Sequence, residues 1–282
     1  MIRRPPRSTL DRSSAASDVY KRQIVPCLKD NYSYVIIDPK TNKTCVVDPG
    51  ESIPIIKFLE KKKLKLDYIL NTHHHYDHIG GNDELKKKYN ALVVGYKGDK
   101  NRIPSIDIEV EDQQTWSSGN FNAQIIFIPG HTIGHICFHF FGEKILFTGD
   151  TLFSLGCGRL FEGTYEQMWT SLEKIKVLPR ETKIYCGHEY TKKNSEFCIA
   201  YDPNNNDLKK KINEINEKRL NNLPTIPTTL GDEITTNIFL RSDNDDIKRN
   251  LNLVGSNSLE VFSKLRDLKL SLIHICRCRR AI

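Results

Sequence analysis

Thr72-His73-His74-His75-Tyr76-Asp77-His78 follows a short apolar run, Tyr68–Leu70, and leads into Gly80-Gly81. Imidazole and carboxylate form a common ligand set for divalent transition metals. Five His and Asp side chains packed behind a strand therefore point to a metal centre. On an extended segment successive side chains alternate. His73 and His75 then share one side, His74 points away, and Asp77 and His78 follow in the turn, where they can face a second ion. The two glycines let the backbone turn closely beneath the site.

Three further candidates each stand just beyond an apolar strand, in a loop with a neighbouring glycine. His131 lies in Pro129-Gly130-His131-Thr132 after Gln124–Ile128. Asp150 lies in Thr148-Gly149-Asp150-Thr151 after Ile145–Phe147. His188 lies in Cys186-Gly187-His188-Glu189 after Lys183–Tyr185. Loops at strand ends are where α/β folds carry their sites. Taken one at a time, each would more often be a structural residue than a ligand. Together with the first cluster they give five His and two Asp, enough for two ions with one Asp able to bridge.

Around these residues the pattern is mixed. Strands are expected at Tyr32–Ile37, Thr44–Val47, Tyr68–Leu70, Ala91–Val94, Phe121–Ile128, Ile136–Phe141, Lys144–Phe147 and Lys183–Cys186, with helices at Ile53–Lys63, Asn82–Tyr89 and Tyr165–Val177. After Glu189 no strand is expected. Asn194–Tyr201, Asp207–Leu220, Asp245–Asn252 and Ser258–Lys269 have helical character, punctuated by Pro203, Pro224 and Pro227. The class is α+β, with a small helical unit at the C-terminal side.

The charge is unevenly placed. The chain of 282 residues carries +7. Residues 1–23 hold six Arg/Lys and two Asp, for +4, and residues 270–282 hold Arg277, Arg279 and Arg280, for +3; the remainder is neutral. The neutral centre argues against a nucleic-acid enzyme. No apolar run reaches the roughly 20 residues of a membrane span. The 8 Cys show no CxxC pair, so reduced thiols in a cytosol are expected rather than a disulfide framework. The Arg- and Ser-rich start has the composition of a mitochondrial transit peptide, and both ends resemble translated sequencing-adapter sequence. Residues 1–23 are thus expected to be a non-native or targeting leader and 270–282 a non-native tail.

HHHYDH matches the HxHxDH signature of the metallo-β-lactamase superfamily, and PGHTIGH, TGDTLF and CGHEY are similar to its later ligand motifs in order and spacing. Val25-Pro26-Cys27-Leu28-Lys29-Asp30-Asn31-Tyr32, the run Gly156-Cys157-Gly158-Arg159-Leu160-Phe161-Glu162-Gly163-Thr164, Asn237-Ile238-Phe239-Leu240-Arg241 and a closing helix with Arg266 and Lys269 resemble the glyoxalase II family within it. The resemblance implies an αββα sandwich over 24–190 and a helical substrate-binding domain over 191–269. It implies hydrolysis of S-D-lactoylglutathione to D-lactate and glutathione by a metal-activated hydroxide, the second step of methylglyoxal detoxification. It assigns His73, His75 and His131 to one ion, Asp77, His78 and His188 to the other, and Asp150 to both, with Asp77 and Asp150 catalytic. The ions implied are zinc first, with iron or manganese as alternatives. Arg159, Tyr190, Arg266 and Lys269 match glutathione contacts, whereas Phe161 stands where some members have Tyr. A cytoplasmic monomer with no nucleic-acid or membrane partner is expected, mitochondrial only if the leader is genuine.

Two rival enzymes on the same fold are a mononuclear iron persulfide dioxygenase, which would need only one ion, and a nucleic-acid phosphodiesterase; a non-catalytic binding module is a third reading. His135 is open between supporting a ligand and a plain structural role, and His139 is expected to be structural. Cys157 and Cys186 lack an obvious base, so neither is expected to be a nucleophile.

Overall fold

The computed structural model describes residues 20–278, with side chains through Ser271; residues 1–19 and 279–282, where most of the expected leader and the end of the expected tail fall, lie outside the described residues. Two six-stranded sheets form the centre. The first runs β1 (Lys21–Cys27), β2 (Asn31–Ile37), β3 (Thr44–Val47), β4 (Tyr68–Leu70), β5 (Leu92–Tyr96) and β6 (Ile108–Val110) in spatial order. β1 to β3 pair antiparallel and β3 to β6 parallel. The second contains β7 (Thr115–Ser118), β8 (Phe121–Phe127), β9 (Ile136–Phe140), β10 (Ile145–Gly149), β13 (Lys183–Cys186) and β14 (Thr228–Thr229), in the order β14-β13-β10-β9-β8-β7. A separate hairpin, β11 (Leu152–Phe153) and β12 (Gly156–Cys157), interrupts it in sequence.

Alternation along the strands sorts side chains into layers. Tyr34 and Ile36 of β2 join Phe138, Phe140 and Phe147 of the second sheet in the core between the sheets. Their neighbour Val35 faces the other way, with Val46 and Ile69, onto α1 (Ser52–Lys62) and α3 (Asn82–Tyr89), which contribute Ile55, Leu59 and Leu85. Cys137, Leu146 and Ile184 on the outer face of the second sheet meet α4 (Tyr165–Lys176) through Leu172 and Ile175. Thr164 and Gln167 form a capping box that starts α4. The result is the αββα sandwich.

The remaining helices are α5 (Thr191–Tyr201), α6 (Asn206–Leu220), α7 (Leu230–Thr236), α8 (Asp245–Asn250) and α9 (Ser258–Cys278), with the short α2 (Tyr76–Ile79) in the His cluster. Their apolar residues Phe197, Leu208, Val261, Phe262 and Leu265, with Phe239 from the turn between α7 and α8, belong to the same core cluster as α4 and the second sheet. The helical segment is thus a continuation of one outer layer. Among the described residues no helix is long and apolar enough to cross a membrane.

Four differences from the sequence expectations have physical causes. β1 begins at Lys21, inside the segment expected to be a leader, and pairs residue by residue with β2 from Lys21↔Ile37 to Cys27↔Asn31. Tyr20 before it is 4% exposed, with its ring edge-on to Phe121 at 5.0 Å and its hydroxyl donating to the Asn120 carbonyl. Polar composition hides a strand whose ladder is backbone and whose anchor is one aromatic ring. A strand does follow Glu189: β14, two residues long, pairs with β13, too short for a period-two pattern. β6, β7 and the β11–β12 hairpin likewise have two to four residues. Finally, α9 runs through Lys269 to Cys278 with no break at the expected tail boundary.

Candidate metal centre

The site lies at the C-terminal ends of β3, β4, β8, β10 and β13, which deliver Asp48, the His cluster, His131, Asp150 and His188 to one place. After β4 the chain bends at Thr72 and His73, is extended at His75 (φ −61, ψ 141) and then turns into α2. That turn carries Asp77 and His78 around towards the second half of the site. Gly80 is required beneath it: a Cβ there would sit 2.6 Å from the Gly50 carbonyl oxygen.

All seven expected ligands converge. His75 Nδ1 is 3.1 Å from His73 Nε2 and 3.0 Å from His131 Nε2. Across from this triad, His78 Nε2 lies 3.7 Å and His188 Nε2 3.4 Å from Asp77 Oδ2. Asp150 stands between: its Oδ1 is 3.4 Å from His78 Nε2, and its Oδ2 is 3.2 Å from His188 Nε2 and 3.6 Å from His131 Nε2. Gly158 packs behind it, where a Cβ would meet the Asp150 carbonyl oxygen at 1.9 Å.

Outer hydrogen bonds fix the tautomers. His131 Nδ1 donates to the Arg159 carbonyl at 2.6 Å. His78 Nδ1 donates to Asp48 Oδ2 at 3.1 Å and His188 Nδ1 to Asp30 Oδ1 at 3.0 Å. The Thr72 hydroxyl donates to Asp48 Oδ2 and so accepts from His73 Nδ1 at 3.0 Å. In each of these four rings the opposite nitrogen faces the centre. This is how metal-ligating histidines are oriented. His78 Nε2 and Asp150 Oδ1 are buried with no hydrogen-bond partner among the described residues, a costly state for polar atoms unless a cation takes their lone pairs. The residues present therefore fit divalent metal ions.

Electrostatics divides the two halves. Burial, reinforced by the neighbouring rings, holds His73 well below the ordinary imidazole range and His75 down to about 4. These are neutral nitrogens ready to ligate. Burial would lower His78 and His188 too, but Asp150 and the outer carboxylates Asp48 and Asp30 outweigh it, lifting His78 well above its ordinary value and His188 to about 9. Burial opposes the charge on Asp150, yet His188 and His78 keep it well below the ordinary carboxylate value. Without a cation the second half is thus a proton-charged cluster, and a metal ion would displace those protons.

Asp30, Asn31 and Asp48 escaped the sequence reading. Asn31 Nδ2 donates to Asp77 Oδ2 at 2.9 Å. Asp48 also accepts from the Thr72 backbone N–H at 2.8 Å. Asp48 follows β3 and precedes Pro49-Gly50, the same strand-end signal that marked Asp150. His135 resolves to support of a ligand: its Nε2 accepts from the Asp150 N–H at 3.1 Å, and its ring stacks on His73 at 4.6 Å. His74 turns outwards to Asp99 and Glu162 at 3.5 and 3.4 Å. His139 is buried in β9. The Cys157 and Cys186 thiols are buried, and burial pushes them up to about 11 and about 12, which favours the neutral thiol over the nucleophilic thiolate.

The expected glutathione contacts flank this centre unequally. Arg159 is exposed, its guanidinium 5.0 Å over the Phe161 ring. Phe161 in turn stands edge-on to His75 and His131 at 5.3 and 5.2 Å. Tyr190 stacks on His188 at 4.6 Å. Lys269 donates to the Lys193 carbonyl at 3.1 Å and lies 4.7 Å from the Phe197 ring centroid. Arg266 is only 3% exposed, with Nη1 donating to the Cys157 carbonyl at 3.1 Å and Nε without a partner among the described residues. The resemblance matches both Arg266 and Lys269 to glutathione contacts, but the two sit in different surroundings, Arg266 buried and Lys269 partly exposed. Arg266 is inserted behind the Gly156–Thr164 loop, its guanidinium 5.2 Å over the Phe239 ring and bonded to the Cys157 carbonyl.

Residues 29–188 match the family model of the metallo-beta-lactamase superfamily, and residues 189–271 match that of the hydroxyacylglutathione hydrolase C-terminus. The hydroxyacylglutathione hydrolase of Pelagibacter ubique is 62% identical over 247 residues, covering 88% of this chain and 98% of that protein. That of Methylococcus capsulatus is 43% identical over 245 residues, covering 87% and 96%. Among solved structures, the ETHE1 protein from Myxococcus xanthus superposes with a TM-score of 0.61 at 21% identity, covering 89% of this chain and 97% of that one. BLEG-1, a B3 metallo-beta-lactamase, gives 0.60 at 22% identity, covering 78% and 99%. At these identities the two structures speak for the fold alone. With the two family models meeting end to end across the sandwich and the helices, the chain belongs to the hydroxyacylglutathione hydrolase family of the metallo-beta-lactamase superfamily.

Proposed function

We propose that the chain hydrolyses 2-hydroxyacylglutathione thioesters, S-D-lactoylglutathione first among them, at a centre for two divalent ions: zinc, with iron or manganese as alternatives. The observation that carries this reading is Asp150, whose two carboxylate oxygens face different His groups at 3.2 to 3.6 Å. The intact second group of Asp77, His78 and His188 favours it over a single-iron dioxygenase.

Divalent ions bound there supply Lewis acidity, making water a competent nucleophile near neutral pH and polarising a thioester carbonyl. The protein's own part is positional. His73, His75 and His131 would hold one ion, Asp77, His78 and His188 the other, with Asp150 placed to serve both. Arg159 and Lys269 meet the carboxylates of glutathione, Arg159 bidentately and Lys269 as a point charge. Arg266 contributes from behind the loop, by fixing the Cys157 carbonyl and aligning Arg159. Burial and the neighbouring Asp30 hold the Tyr190 phenol above its ordinary value, so it is a neutral hydrogen-bond donor at working pH. The departing thiolate is a weak base and leaves without a strong general acid. The same reading takes the protein as a cytoplasmic monomer.

The test is hydrolysis of S-D-lactoylglutathione by the full chain, with metal measured on the same sample. Turnover with two ions per chain is the expected result. Absence of thioester hydrolysis, or full activity with a single iron, would overturn the reading.

A further inference from the structure

The β11–β12 hairpin spans the interval between Asp150 and Arg159. Its strands pair only with each other, Leu152↔Cys157 and Phe153↔Gly156. At its turn Leu155 adopts a left-handed φ of 57°. Five consecutive residues there have backbone groups bonded to side chains of the C-terminal helical segment. Asn237 Nδ2 donates to the Phe153 and Gly156 carbonyls at 3.3 and 3.0 Å, and Asn194 Nδ2 donates to the Ser154 carbonyl at 3.1 Å. Cys198 Sγ meets the Leu155 carbonyl at 3.2 Å, and Arg266 Nη1 the Cys157 carbonyl at 3.1 Å. The one backbone donor among them, Leu155 N–H, reaches Glu233 Oε2 at 2.7 Å.

Glu233 is the keystone of this set. It is fully buried. It accepts from Thr228 at 2.7 Å and Asn237 at 3.0 Å as well, and makes no ion pair among the described residues. A buried carboxylate without a cation is expensive, and here all its bonds go to neutral donors around one turn. Burial raises its pKa above the ordinary carboxylate value. An apolar residue would fill the space at less cost but would leave the Leu155 N–H and the Thr228 hydroxyl without the acceptor that Glu233 gives them.

We propose that Glu233, acting with Asn237 and Asn194, is a positioning residue for the active centre: it holds the hairpin turn so that Asp150 at one end and Arg159 at the other keep their places. The connection is short at both ends. Gly158 N–H bonds to the Thr151 carbonyl at 3.0 Å beside Asp150, and the Arg159 carbonyl orients His131. The helical segment thereby acts on metal retention as well as on the substrate. This rests on the assignment of Asp150 to both ions and of Arg159 to glutathione.

The test compares Glu233→Ala, Glu233→Gln and the milder Asn194→Ala in the full, zinc-loaded chain. A Gln amide can place its oxygen towards Leu155 N–H and its NH2 towards the Thr228 hydroxyl, so Glu233→Gln is expected to match the parent within about twofold. Glu233→Ala is expected to lose zinc to a chelator at least tenfold faster and to raise KM for S-D-lactoylglutathione about tenfold. Asn194→Ala, which loses the Ser154 contact, is expected to show both effects at two- to fivefold with a smaller fall in melting temperature than Glu233→Ala. A merely structural role would lower melting temperature in proportion and leave KM and zinc release of the folded fraction at parent values; that result overturns the proposal. If the parent proves inactive on the thioester, the reading of function fails while zinc release still decides the role of Glu233.

Discussion

The first strand offers the sharpest quantitative test. Consider two shortened chains, one starting at Tyr20 and one at Ile24. The second loses the Lys21↔Ile37, Arg22↔Ile36 and Gln23↔Val35 pairs and the Tyr20 ring. Three antiparallel pairs carry two to four ladder bonds, each worth about 0.5–1.5 kcal/mol net; on this exposed edge the sum is about 2 kcal/mol. Removing a buried aromatic costs about 3–5 kcal/mol, and Tyr20, 4% exposed between Phe121 and Phe140, belongs at the lower end because it closes the core at its rim. The total, about 5 kcal/mol, is a large fraction of the usual 5–15 kcal/mol of domain stability. With a urea dependence of about 3 kcal/mol per molar, the unfolding midpoint should fall by about 1.5–2 M. Both chains must be compared at the same free zinc, since bound metal itself stabilises the fold. Tyr20→Ala in the full chain isolates the ring and should account for more than half of the shift. Midpoints that agree within about 0.3 M would refute the reasoning and show that residues 20–23 add nothing to the sandwich.

Asp150→Ala should cut turnover by more than about 100-fold, beyond the 10- to 100-fold typical of residues that only support ligands, and lower zinc content in both halves; two retained ions with near-normal turnover would contradict its bridging position. Because His188 is raised to about 9 and His78 lies well above its ordinary value, zinc binding to stripped protein at pH 7 should release about two protons, and calorimetry in buffers of different ionisation enthalpy measures that number. Affinity should accordingly weaken as pH falls, because a rising proton concentration competes with the metal for the same two nitrogens. Burial lowers the Lys269 ammonium to about 8, so kcat/KM for the anionic thioester should decline as pH rises through that value, and Lys269→Arg should move the decline upwards; identical alkaline limbs in the two proteins would remove Lys269 from the substrate site.

What the sequence determined by itself is the part of the protein coded by local spacing. His73, His75, Asp77 and His78 are held by an extended stretch and one turn of chain, so their grouping follows from alternation and a tight bend. His131, Asp150 and His188 each end a strand, and the order of apolar runs tells which strands exist. The helices with clear apolar spacing, α3 and α4 among them, are legible for the same reason. Orientation was decided elsewhere. The nitrogen that each of four rings turns to the centre depends on Asp48, Asp30, Thr72 and the Arg159 carbonyl, and for His188 the partner lies 158 residues away in the chain. No periodicity encodes such a contact. Lys21-Arg22-Gln23 forms a strand because β2 offers its backbone edge and Tyr20 has a core to enter, both tertiary conditions that override polar composition. Arg266 reads as a surface cation by type, yet the neighbouring Gly156–Cys157 turn needs a donor and Phe239 offers a face, so it is buried. The hairpin between Asp150 and Arg159 has too few residues to show a pattern, and its shape is set by Glu233, Asn237 and Asn194, 40 to 84 residues distant by their bonded pairs. Short-range ligand spacing is written along the chain; the outer shell that aims those ligands exists only once the layers have packed.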